Sequence, residues 1–82
     1  MWVLSQSKRF LVKVNSLYVE EFFYRDDIPT YHLVGLDFNG NEIVLGKYKT
    51  CEKCVSVLLK VCENINLGYE DVVFFIPIDE VI

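Results

Sequence analysis

The chain is short of histidine, proline and glycine, and it has no apolar run of membrane length. One histidine, His32, leaves no second imidazole for a metal cluster or a proton relay. The four glycines, at 35, 40, 46 and 68, are spaced for turns and strands, so they form no phosphate-cradling loop. The longest apolar run, "VVFFIPI" over 72–78, has seven residues. A spanning helix needs about 20. The opening "MWVLSQSKRFLVKV" has no basic segment leading into a long apolar one, which argues against a signal peptide. Basic residues form no patch beyond Lys8-Arg9, which argues against phosphate-neutralising contact with nucleic acid. The net charge is −4, but the acidic residues are scattered and too sparse for a nucleic-acid mimic. No repeat, linker or low-complexity tract divides the chain.

Apolar surface is abundant. Of 82 residues, 52% are hydrophobic and 15% aromatic, which excludes disorder. A chain of this length holds one domain, 1–82. It buries only about 60% of its unfolded surface. So much apolar matter in so small a domain implies a rich core or an apolar surface kept for a partner. Three cysteines, an odd number, and no evident leader point to a reducing cytoplasm.

Short strand-like segments alternate with turn signals. Met1–Ser5, Phe10–Val14 and Leu17–Tyr24 read as strands, with a tight turn at "NS", 15–16. "RDDIPT" then breaks the pattern. "YHLVGLDFNGNEIVLGKY", 31–48, reads as a hairpin on a two-residue Asn39-Gly40 turn. That register pairs Leu36 with Ile43, Val34 with Leu45 and His32 with Lys47. It assigns Val34, Leu36, Ile43 and Leu45 to the core. The opposite face then shows Tyr31, Leu33, Val44 and Tyr48, with the two tyrosines as cross-strand neighbours. Thr50 is a good N-cap for a helix running to about Asn66, with Gly68 just past its end. Residues 72–78 read as a last buried strand, with Pro77 at an edge or bulge. The expected fold is α+β: an antiparallel sheet of four to five strands with one amphipathic helix packed on one face.

"KTCEKCVSVLLKVC", 49–62, looks most like chemistry. On a helical wheel, Cys51, Cys54, Val55, Val57, Leu58, Val61, Cys62 and Ile65 fall on one apolar side, centred on Leu58 and Val61. Free cysteine packs there as a small hydrophobe. Cys54 and Cys62 lie about 12 Å apart along a helix axis. Thiolates on one zinc sit about 4 Å apart, so the two cannot share a metal. Cys51 and Cys54 open the helix as C-x-x-C, where the dipole favours a thiolate and a redox role is an alternative. Too few residues follow Asn66 to complete a thioredoxin-like sheet. No metal, cofactor or catalytic residue is assigned. A lone histidine on a strand, such as His32, is more often structural or solvent-exposed than catalytic.

"MWVLSQ", "LVKVNSLYV" and "LGKYKT" running into a helix resemble a loose group of small proteins from Gram-positive bacteria, their phages and mobile elements. The shared features are an N-terminal Met-Trp strand, a turn after Asn and a Leu-Gly-x-Tyr-x-Thr strand end. A helix with Glu, a basic residue and Ala follows. Here these are Leu45, Gly46, Tyr48, Thr50, Glu52 and Lys53, with Cys54 where the group has Ala. The resemblance implies accessory work, such as binding and blocking a host defence enzyme or sequestering a nucleotide signal. The expected function is therefore a non-enzymatic interaction protein, such as a phage-encoded inhibitor of a host defence system. Its partner-binding surface would be Tyr31, Leu33, Val44 and Tyr48. The expected partner is a host protein or a second copy, with no nucleic acid and no membrane. The alternatives are a thiol redox protein using Cys51 and Cys54, or a small-ligand-sequestering oligomer.

Overall fold

A computed structural model describes residues 1–24, 28–68 and 73–79. Six strands and one helix follow in the order β1 (Trp2–Leu4), β2 (Leu11–Lys13), β3 (Ser16–Phe23), β4 (Pro29–Leu36), β5 (Glu42–Tyr48), α1 (Cys51–Asn66) and β6 (Val73–Phe75). The class is α+β, as the sequence indicates. The strands, however, divide between two three-stranded sheets, ordered β2-β1-β6 and β3-β4-β5. In the first sheet β1 runs antiparallel to β2 and parallel to β6. The turn at 15–16 makes no hairpin. Instead the Asn15 amide bonds the Leu36 carbonyl at 2.7 Å, and the chain passes from the first sheet into the second. The pattern break at 25–27 and residue 72 of the expected last strand lie outside the described residues.

The helix forms where its signals stand. Thr50 Oγ1 accepts from the Lys53 amide at 3.2 Å. The Leu67 amide returns to the Glu63 carbonyl and that of Gly68 to Ile65, with Gly68 at φ +78°. Its buried residues are Cys54, Val57 and Val61. Val61 is at the centre of the contact as expected, while Leu58 is half-buried and Val57 takes its place.

The β4–β5 hairpin departs from the two-residue turn. Asp37 Oδ1 accepts from the amides of Asn39 at 2.8 Å and Asn41 at 2.9 Å, and Oδ2 from Asn41 Nδ2 at 3.0 Å. The Asp37 amide closes onto the Asn41 carbonyl, and Gly40 takes φ +82°. The loop is therefore Phe38–Gly40, and Leu36 faces Glu42 instead of Ile43. A one-residue slip moves side chains to the other face. An irregularity at Leu33/Val34 then admits one extra residue, Leu45, on β5. Beyond it, His32 faces Lys47 and Tyr31 faces Tyr48, as expected from the sequence.

The slip corrects the face assignment of β4, while Ile43 and Leu45 of β5 lie on the core side as expected. The core unites Val3, Val12, Val14 and Ile76 from the first sheet and its flanks with Leu33, Leu45 and Tyr48 from the second and Cys54, Val57 and Val61 from the helix. Ile43 packs against it, as do Tyr31, Leu17 and Val19. Val34 and Leu36 alternate with Leu33 and so face the other way. Two glycines permit the close approach. A Cβ on Gly35 would lie 2.8 Å from Leu45 Cδ1, and one on Gly46 would lie 3.0 Å from both Ile76 Cγ2 and Tyr48 Cε2.

Candidate partner-binding surface

The residues expected to form a binding surface do not form one. Leu33 and Tyr48 are buried to within about 1% of complete closure. Tyr31 is half-buried beside Tyr48 on the helix-covered face. Val44 is exposed, but it pairs with Val34 on the opposite face. The grouping fails because the turn at Asp37 puts Tyr31 and Leu33 on the covered face of β4, and the extra residue Leu45 brings Tyr48 to the same side while Val44 stays on the other.

A different apolar surface stands open. In the first sheet, Val3, Val12 and Phe74 form one row and point at the core. Their neighbours point outward in two further rows. One joins Lys13, Trp2 and Val73, the other Leu11, Leu4 and Phe75. Leu4 is half-buried, while Trp2 is 40%, Leu11 55%, Val73 38% and Phe75 68% exposed. Nothing among the described residues covers this face. A groove of about 370 Å³ continues it toward the hairpin turn, between Trp2, Leu11, Lys13 and Phe38. There the Lys13 ammonium lies 5.9 Å from the centre of the Phe38 ring.

The loop between β1 and β2 fixes this sheet to the rest of the fold. Ser5, itself buried, bonds the Phe10 carbonyl through its amide at 2.8 Å and accepts the Phe10 amide on its hydroxyl at 3.2 Å. Gln6 donates its amide to the carbonyl of the extra residue Leu45, at 2.6 Å. Its side chain accepts from the Lys47 amide at 3.0 Å and donates to the Pro77 carbonyl at 3.2 Å. Tyr48 reaches the same carbonyl with its hydroxyl.

Charge is uneven around the open face. Strands β1, β2 and β6 and the Ser5–Phe10 loop contain Lys8, Arg9 and Lys13 and no acidic residue. Asp37, beside the groove, spends its carboxylate oxygens on the turn amides, first that of Asn41, which also hold its pKa down. The remaining acids of the described residues lie on β3, β5, the helix and the segment after β6.

Of the three cysteines expected in the apolar stripe, only Cys54 packs in the core, and Cys51 lies outside it. Cys54 is fully buried, Cys62 half-buried and Cys51 exposed. Burial, and then the neighbouring Cys51, push the Cys54 thiol up to about 11. Cys54 is thus protonated at neutral pH, the wrong state for attack on a disulfide. Among the described residues no group of three or more His, Cys, Asp or Glu could hold a metal ion. None of the described helices is long and apolar enough to cross a membrane. Replacing Cys51 and Cys54 together by alanine is expected to cost about 1 kcal/mol, nearly all of it from Cys54. Thermal melts should show a fall of about 4–8 °C. A variant that keeps the parent's melting temperature but loses its biological activity would restore the dithiol reading.

Trp2, Leu4, Leu11, Val73 and Phe75 had a signal in the sequence. Their strands are apolar at successive positions, so both faces of the sheet are apolar where one would suffice. Comparison of the chain with protein-family models, curated proteins and solved structures finds no match.

Proposed function

We propose that the protein is a non-enzymatic interaction module that grips a partner protein through the outer face of the β2-β1-β6 sheet. The observation that carries this reading is the pair of rows holding Trp2, Leu4, Leu11, Val73 and Phe75, which nothing among the described residues covers. Their exposed area is roughly 400 Å², within the size at which apolar patches on monomers are commonly functional. Aromatic residues suit such a surface because they bring large area at little entropic cost. Lys8, Arg9 and Lys13, on the strands and loop that form this face, favour a partner with an apolar patch rimmed by carboxylates. From the resemblance to phage and mobile-element proteins we take that partner to be a host protein, with its inhibition as the consequence of binding.

The single tryptophan lies in the proposed surface, so its emission reports on it directly. Leu11→Ser with Phe75→Ser alters two exposed side chains and is expected to shift stability by less than about 1 kcal/mol. The parent should capture a host protein that the double variant does not, and adding that protein should move Trp2 emission to the blue. Equal capture by the folded variant, or emission indifferent to the captured protein, would refute this surface.

A further inference from the structure

The face of the second sheet turned away from the helix carries a built cluster around His32. This residue lies on the central strand β4, with Glu20 and Lys47 as its cross-strand partners on either side. It points away from the core, yet only 3% of it is exposed. Two rings from the end of β3 cover it. Phe22 stacks on the imidazole with centroids 4.4 Å apart and planes at 24°. Tyr24 leans over it at 5.7 Å, and its hydroxyl lies 2.8 Å from Nε2. The Lys47 ammonium sits 5.7 Å from the centre of the Tyr24 ring. Nδ1 is buried and has no partner among the described residues.

We propose that Phe22 and Tyr24 form an acid-released cover over His32, closed on the neutral imidazole and opened when the ring takes a second proton. The neutral ring is tolerable inside. Nε2–H donates to the Tyr24 oxygen and Nδ1 keeps only an unpaired lone pair. The imidazolium is not. Its Nδ1–H becomes a charged donor with no acceptor among the described residues, sealed from water beside a lysine. Glu20 opposes this from the other flank, and Tyr24 can accept from only one nitrogen. Burial first, then Lys47, outweigh Glu20 and hold the His32 pKa below its ordinary 6.5.

The sign follows. The closed state binds the proton less readily than the open one, so its full stability is present above pH 6.5. That stability is lost as pH falls from there through the closed-state value. Within that window the open fraction rises by up to about tenfold per pH unit. The cover is the part free to yield. Phe22 is 37% and Tyr24 58% exposed, both lie at the end of an edge strand, and neither belongs to the core cluster. His32 itself is held by β4, whose next residue, Leu33, is fully buried in the core.

With one histidine in the chain, a carbon-detected imidazole titration is unambiguous. Amide-exchange protection, corrected for intrinsic rates, is followed in parallel from about pH 7.5 to about pH 5. His32 should titrate below 6.5, and protection at residues 22–24 should fall in the same range while Leu33 and Leu45 stay protected. Phe22→Ala should return the titration toward 6.5 and abolish the pH dependence at residues 23 and 24. A His32 that titrates at or above 6.5 would overturn the proposal. So would constant protection at residues 22–24, or protection lost there only together with Leu33 and Leu45.

Discussion

Tyr48→Ala is expected to remove a large share of the protein's stability, and Tyr48→Phe to leave it only slightly weaker. Tyr48 is 1% exposed and packs in the core with Leu33, Leu45 and the helix residues. Truncating a buried aromatic ring to alanine costs about 3–5 kcal/mol. A domain of this length has about 4–12 kcal/mol to lose. The hydroxyl adds a separate contribution, since it donates to the Pro77 carbonyl and ties the segment after β6 to β5. Removing it leaves that carbonyl its bond from Gln6 Nε2, so Tyr48→Phe should cost only about 1 kcal/mol. Burial also raises the phenol pKa above 10 in the folded chain. Stability from this group is present below pH 10 and is lost as pH rises beyond it, a loss Tyr48→Phe should abolish. Urea titrations watched by circular dichroism check all three statements. A Tyr48→Ala variant that melts with the parent would show the ring to lie at a surface after all.

Leu33→Ala should be nearly as damaging, at about 2–5 kcal/mol, toward the upper end of that range. The cost of such a cavity depends on how far the neighbours can collapse into it. Leu33 faces Gly46 across the ladder and stands two residues from Gly35 on the same face. Neither glycine has a side chain to relax, and both are glycine because the core already fills their Cβ positions. Val34→Ala, one residue along on the other face, serves as the control. Val34 is equally buried but lies outside the core cluster, so its truncation should cost clearly less. Chemical denaturation of the two variants side by side decides the matter. Equal losses would mean that the helix does not cover the Leu33 face.

These two residues show how much of the fold the sequence discloses. The helix was legible because its period, Thr50 and Gly68 are local signals that agree. The strands were legible one by one for the same reason. The register of β4 and β5 was not. Asn39-Gly40 announces a turn, but the Asp37 carboxylate, bonded to two amides beyond it, selects the longer loop. The extra residue at Leu45 answers to the Gln6 amide, far away in sequence, and no local pattern encodes that bond. The division into two sheets was hidden because β1, β2 and β6 are three-residue strands whose apolar positions suit either face of any partner strand. The candidate surface escaped detection with it. Its five side chains come from three separate stretches, and only the parallel pairing of β1 with β6 brings them together.

That pairing has a consequence for assembly. The helix and the three strands before it are neighbours in sequence, and their contacts close small loops. The β1–β6 ladder instead joins Trp2–Leu4 to Val73–Phe75, far apart along the chain, at a larger entropic cost of closure. Until β6 arrives, β1 and β2 form only a short two-stranded ribbon, which is marginal in water. A third of the outer rows, Val73 and Phe75, is then missing. The second sheet, built from sequence neighbours, can therefore stand complete while the outer face of the first is still unformed. On the reading proposed above, the binding face and the β1–β6 ladder are completed in the same step, so whatever loosens that ladder also dismantles the face.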